Sequence, residues 1–207
     1  MTDTARLEGW LGEIKAAMDA QPETTWTLAK FRIALPSARP EQSLIKIDNV
    51  TATGVCNVEA VRAMVDDQTG RVKVVATFAD FDMRGVSDLI GRFQVVLPEQ
   101  GEAVGWFVQR YPDSLYPLHG TWRIPFLFKS DFGDLVQRPT DPPMEMLSAE
   151  PGLHAIPPIG SWFENWDPVA LVRADDPDGP TVAVVEHAMH VVVNAGDSPT
   201  RPPFQWE

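Results

Sequence analysis

Apolar positions near the start of the chain fall at helical spacing and then switch to strand spacing. Leu7, Leu11, Ile14 and Met18 recur at i, i+4, i+7 and i+11, one stripe of an amphipathic helix that Trp10 widens. Asp3 or Thr4 stands where a cap is wanted, and Gln21-Pro22 ends the run, so a helix is predicted over 4–20. From Thr24 the texture changes. Residues 25–35 are β-branched, aromatic and roughly alternating, which reads as a strand, and Pro36 and Pro40 bracket the loop after it.

The stretch 44–98 carries the strongest pattern. Leu44, Ile45, Ile47 and Val50 open a strand, with Lys46, Asp48 and Thr51 on its more polar side. Within 55–65, Val55, Val58, Val61 and Val65 also suit a helix capped near Asn57; the abundance of valine and a plausible hairpin partner downstream favour a strand. Asp66-Asp67-Gln68-Thr69-Gly70 supplies the turn, with Gly70 free to take a positive φ. Residues 71–85 then alternate for much of their length, the period of a half-buried strand. Gly85 and Gly91 permit a bulge or bend, Phe93 to Leu97 continue the segment to Pro98, and Ala103, Val104, Trp106, Phe107 and Val108 make a further strand.

The second half is built differently. Fifteen of the 19 prolines and 13 of the 19 aromatic residues lie between Trp106 and Glu207, so much of this region must be loop, edge strand or turn. Arg138-Pro-Thr-Asp-Pro-Pro143 and Ile156-Pro-Pro-Ile-Gly160 read as extended connectors, yet Trp162, Phe163 and Trp166 are too apolar for free linkers and are expected to pack onto the sheet. Residues 169–173 and 181–193 form a last strand pair, joined by Asp175-Asp-Pro-Asp-Gly179, and the tail 199–207 reads as irregular. The fold class expected is α+β: a long curved antiparallel sheet wrapped on an N-terminal helix, with a Pro/aromatic-rich C-terminal half. The 207 residues suit one domain, made of the helix 4–20, a β-rich body 24–110 and the region 111–207 with its C-terminal hairpin.

Charge narrows the partners. A formal charge of −12 argues against nucleic acid, which needs clustered Lys and Arg, and against anionic membrane surfaces. Basic protein partners and neutral apolar ligands remain open, and acidity that only confers solubility is the plainer reading. Cys56 is the sole cysteine, the N-terminus lacks a secretory pattern and no run reaches membrane-helix length, so the setting expected is cytoplasmic without membrane insertion. Cys56 itself reads as a small buried hydrophobe.

Signatures for specific chemistry are missing. His187 and His190 are three apart, so on a strand they face opposite sides and cannot share a metal ion without a bulge. Asp175, Asp176 and Asp178 lack calcium-loop spacing. No nucleotide loop or serine elbow occurs, and neither metal nor cofactor is expected. His119, on an aromatic segment near Asp113, or an aspartate could move a proton in an enzyme reading in which a cyclase or isomerase folds a hydrophobic intermediate. The aromatics weigh more as a set. Trp122, Ile124, Phe126 and Phe128 point to one side of a strand, and Phe78, Phe81, Phe93, Trp106, Trp122, Phe126 and Phe128 are candidates either for core or for the lining of an apolar pocket. Non-catalytic binding of a hydrophobic small molecule or lipid is the leading functional expectation.

Several of these runs together carry a resemblance. Ile45-Lys-Ile-Asp-Asn-Val-Thr-Ala-Thr-Gly54, Val58-Glu-Ala-Val-Arg-Ala-Met-Val-Asp-Asp67, Val72-Lys-Val-Val-Ala-Thr-Phe78, Asp82-Met-Arg-Gly85 and Gly91-Arg-Phe-Gln-Val-Val-Leu-Pro98 are spaced as in the lipid-binding TULIP superfamily. Over 44–107 the chain resembles its juvenile-hormone-binding and takeout-like branch. That resemblance implies long curved strands around a helix and an enclosed apolar ligand; it implies no catalytic residues. The branch's paired cysteines are absent from this chain, and so is its long apolar helix in the second half.

Overall fold

The alternating runs become the staves of a barrel in this computed structural model, which describes residues 3–20, 25–36, 46–99, 101–156, 158 and 160–195. β1 (Thr25–Leu35), β2 (Lys46–Val65) and β3 (Val72–Ser87) are successive antiparallel neighbours. The ambiguous segment 55–65 is strand throughout, because β3 offers a ladder along its whole length. The hairpin turn is the one its residues specify: Gly70 has φ 65°, its N–H donates to Asp66 O at 2.7 Å, and the Asp66 carboxylate accepts from the Thr69 N–H at 3.1 Å.

After β3 the meander continues, but each stave comes in two pieces. β4 (Gly91–Val96) and β5 (Val104–Tyr111) pair with the two ends of β3. β6 (Ser114–Ile124) and β7 (Leu127–Ser130) pair with β5 and β4 respectively. β8 (Leu135–Gln137) and β9 (Met144–Ser148) lie against β7 and β6. β10 (Trp162–Asn165) and β11 (Val169–Arg173) lie against β9 and β8. β12 (Ala183–Ala195) pairs with both of these and then with β1, from Thr25↔Ala195 to Ala34↔Val184. The result is an up-and-down antiparallel barrel of eight staves, four continuous and four broken.

Proline explains the breaks. Pro98 lies between β4 and β5, Pro125 between β6 and β7, Pro139, Pro142 and Pro143 between β8 and β9, and Pro168 between β10 and β11. A proline brings no N–H to the ladder and is expelled from a central strand. The breaks sit side by side: a Cβ added at Gly101 would lie 3.0 Å from both Pro98 Cγ and Pro125 Cγ. They form a seam across half of the wall.

The expected α+β wrap is therefore corrected to a closed β-barrel with one short N-terminal helix. α1 (Asp3–Asp19) packs on β2 and β3, burying Ile14 completely and Leu7, Trp10 and Leu11 in part, while Arg6 pairs with Asp113 of the β5–β6 turn at 3.5 Å. A helix with its side chains is ~10 Å across, whereas eight staves enclose little more than their own inward side chains. Closure thus leaves the helix no room inside. Loop residues of the second half do pack inward, as expected: Leu153 and Ile156 are buried, and Leu153 exchanges two backbone hydrogen bonds of 2.8 Å with Leu118. Trp166 packs onto the sheet from outside, against His187, and stays largely exposed.

Inward positions are mostly apolar, and outward positions carry Lys30, Arg32, Arg84 and Arg123, the reverse of the alternation in a lipid-facing barrel. Among the described residues no helix is long and apolar enough to cross a membrane. Leu44, Ile45, the Pro40 loop, Gln21-Pro22, Pro157, Ile159 and the tail 199–207 lie outside the described residues, as do the side chains of Met18, Val58 and Val61.

Candidate functional site

Two aromatic clusters fill the barrel's ends. Phe78 stacks on Trp122 at 4.1 Å, and Trp122 meets Phe107 at 5.3 Å and Phe163 at 6.3 Å. At the other end Phe128 gathers Phe31, Phe93 and Phe126, all with centroids within 5.5 Å of its own. Between them, at the level of the seam, lies a small apolar cavity of about 10 Å³, barely the space of one water. Phe31, Phe81, Phe126 and three buried methionines, Met83, Met144 and Met146, surround it, with Ala29, Val95, Ile124 and the Met189–His190 stretch of β12.

One polar side chain reaches this lining. His190, on β12, is 3 % exposed and sits with its ring 6.1 Å from that of Phe81. Its Nε2 meets Thr27 Oγ1 on the adjacent β1, and its Nδ1 has no hydrogen-bond partner. Burial disfavours the charged imidazolium and lowers the pKa to about 4, so the ring is neutral at physiological pH. Asn165, on the same inner face of the neighbouring β10, also leaves its Oδ1 unpartnered while its amide N–H donates to Glu145 O at 2.8 Å.

Local irregularities set this geometry. A register shift between β2 and β3 turns both Phe78 and Phe81 inward although they are three residues apart. The two histidines follow plain alternation, since the β1–β12 register is unbroken between them: His190 points in, and His187 lies outside, stacked on Trp166 at 3.9 Å. They share no ion. Among the described residues no group of histidine, cysteine and acidic side chains could hold a metal.

The structure scatters the sequence-derived candidates. Phe81 and Phe126 border the cavity; Phe78, Phe93, Trp122 and Phe128 are buried in the two clusters beside it. Trp106 lies on the outer face with the Arg123 guanidinium over its ring at 5.0 Å, and its neighbour Phe107 takes the inward place. His119 is exposed on the outside of β6. Cys56 is buried, and burial pushes its thiol well above the ordinary range, which suits an inert packing group. Sequence reasoning missed His190 and the methionines as lining. The signal available was weak: one histidine on the inward-facing positions of β12, beside Ala183, Val185 and Ala188.

A second concavity, of about 480 Å³, is an open groove on the outer wall along β3, β4 and β7, between Arg84, Arg92, Lys129, Asp131 and Asp134. Its charges are largely matched. Arg84 pairs with Asp82 at 3.2 Å, and Arg92 pairs with Asp131 at 3.3 Å. The Arg92 backbone N–H, then its guanidinium, hold the Asp131 carboxyl below its usual range.

No protein-family profile matches the chain, and no curated protein does. Among solved structures it is similar to DynF from the dynemicin biosynthesis pathway of Micromonospora chersina, with a TM-score of 0.67 at 15% identity over 84% of this chain and 81% of that one. At that identity the likeness is one of fold. The takeout-like resemblance of 44–107 extends to the curved antiparallel sheet, and not to a helix held within it.

Proposed function

We propose that this chain binds a small hydrophobic molecule at the waist of its barrel. The observation that carries the reading is the lining itself: three buried thioethers and three phenylalanines beside an unpartnered polar atom. Eight-stranded barrels are either filled by their own side chains or hold one small ligand. Here the interior is nearly filled, but with the side chain that repacks most cheaply. Methionine has three rotatable bonds and a polarisable sulfur, so it yields to a guest where leucine or isoleucine resists. The seam gives that guest a way in, because no continuous ladder holds the wall shut there. The fold neighbour comes from a biosynthetic pathway. By analogy of fold alone, the guest is a small product or intermediate of such chemistry. The enzyme alternative has less behind it, since His119, its proposed proton carrier, faces away from the interior.

The test uses N-phenyl-1-naphthylamine, a neutral dye that brightens in apolar surroundings, together with native mass spectrometry of freshly purified protein. Saturable brightening at one site, lost when Ala29→Trp fills the waist without changing the circular dichroism, supports the reading. No saturable signal and no co-purifying small molecule would sink it.

A further inference from the structure

The hydrogen bonds around His190 settle its tautomer and so the chemistry of the guest. Thr27 Oγ1 has one proton, and it donates that proton to the Val191 carbonyl at 2.9 Å. Toward His190 the same oxygen therefore acts as acceptor, and Nε2 must carry the ring's hydrogen. Nδ1 is left as a bare lone pair in an apolar chamber, with no donor to meet it. Asn165 Oδ1 is a second acceptor without a donor on the same inner face. A buried acceptor without a partner is costly, and native interiors rarely tolerate one without reason. No lysine, arginine or tyrosine lines the cavity, so a buried carboxylate would find no counter-charge there.

We infer that the guest is a neutral molecule bearing an O–H or N–H donor on an apolar body, such as a phenol or alcohol, seated with that donor on His190 Nδ1, and that fatty carboxylates are excluded. This rests on the waist being the binding site. Thr27 orients the imidazole, His190 reads the donor, and the methionines shape themselves to the rest.

The test compares 2-naphthol with 2-methoxynaphthalene, which keeps the rings and loses the donor, and adds decanoate at neutral pH. The wild-type protein is expected to bind 2-naphthol about tenfold more tightly than the ether, with the preference falling to near unity in His190→Phe, and decanoate is not expected to compete. In ¹⁵N-labelled wild-type protein the Nδ1 resonance should shift on adding 2-naphthol while Nε2 stays protonated, a readout that does not depend on the variant folding. Equal binding of naphthol and ether, an unchanged ratio in His190→Phe, competition by decanoate, or an unmoved Nδ1 resonance would overturn the donor assignment and leave the waist as a site. Failure of both naphthalenes to bind would overturn the waist as well.

Discussion

The indole of Trp122 lies over Gly105, its direct partner across the β5–β6 ladder: a Cβ at Gly105 would come within 2.4 Å of Trp122 Cε3. The same device recurs near the other end of the barrel, where Phe93 covers its partner Gly85 and a Cβ would meet Phe93 Cζ at 2.1 Å. In both places glycine makes room for a ring that would otherwise not fit inside eight staves.

Alanine at these two positions should therefore unsettle the barrel. Gly105→Ala and Gly85→Ala are each expected to cost about 1–3 kcal/mol in urea unfolding, because a fully packed ring has nowhere to retreat. Gly12→Ala, on the exposed face of α1 with open space around it, should instead gain about 0.5–1 kcal/mol. A Gly105→Ala protein as stable as Gly12→Ala would show that the ring is not held over the backbone.

Acid should weaken the fold through His190. Its folded pKa, about 4, lies below the unfolded value of 6.5. Between these values the unfolded chain binds the extra proton, so stability is full above pH 6.5 and falls as pH drops toward 4. The loss is of the order of 3 kcal/mol. Chemical denaturation from pH 7 to 4 should show this decline in the wild type and a slope shallower by about one proton in His190→Phe.

Phe81 and Trp106 should part company. Phe81→Ala removes a ring from the cavity wall and is expected to cost about 3–5 kcal/mol and to change the size of naphthalene accepted. Trp106→Ala, on the outer face against Arg123, should cost about 1 kcal/mol or less and leave dye binding unchanged. Thermal melts and dye titrations on the two variants make the comparison, and a binding defect in Trp106→Ala alone would move the site to the outer wall.

The methionines should matter for binding more than for folding. Replacing Met83, Met144 and Met146 by leucine conserves volume and is expected to cost under about 1.5 kcal/mol per site. The stiffer lining should slow and weaken entry of N-phenyl-1-naphthylamine. Stopped-flow fluorescence reads both rates, and unchanged kinetics would mean the guest does not displace these side chains.

Local chemistry made some of this legible. The Asp66 turn follows from an aspartate that caps its own loop and a glycine that accepts a positive φ. The inward set Trp122, Ile124, Phe126 and Phe128 follows from period two, and it survives the break at Pro125. The Phe78–Phe81 pair escaped that logic, because a shift in pairing register is a property of two strands together. Trp106 was misplaced for a related reason: in Trp106-Phe107 either aromatic could face in, and only the pairing of β5 with β3 and β6 decides between them.

By itself the sequence determined the strands of the first half, the last strand pair, the Asp66 turn and the places where proline interrupts the wall, because these depend on neighbours a few residues apart; the short strands β8, β9 and β10 are set by the neighbours they pair with. Tertiary structure alone decided that the sheet closes through β1 and β12, bringing together the side chains of Thr27 and His190 from 163 residues apart, and so displaces the helix from the interior. The same closure brings the hydroxyl of Thr27 to the imidazole of His190, fixes which nitrogen carries the proton, and leaves the other facing the apolar waist. Alternation places a histidine inside; only the partner it meets there determines what it can bind.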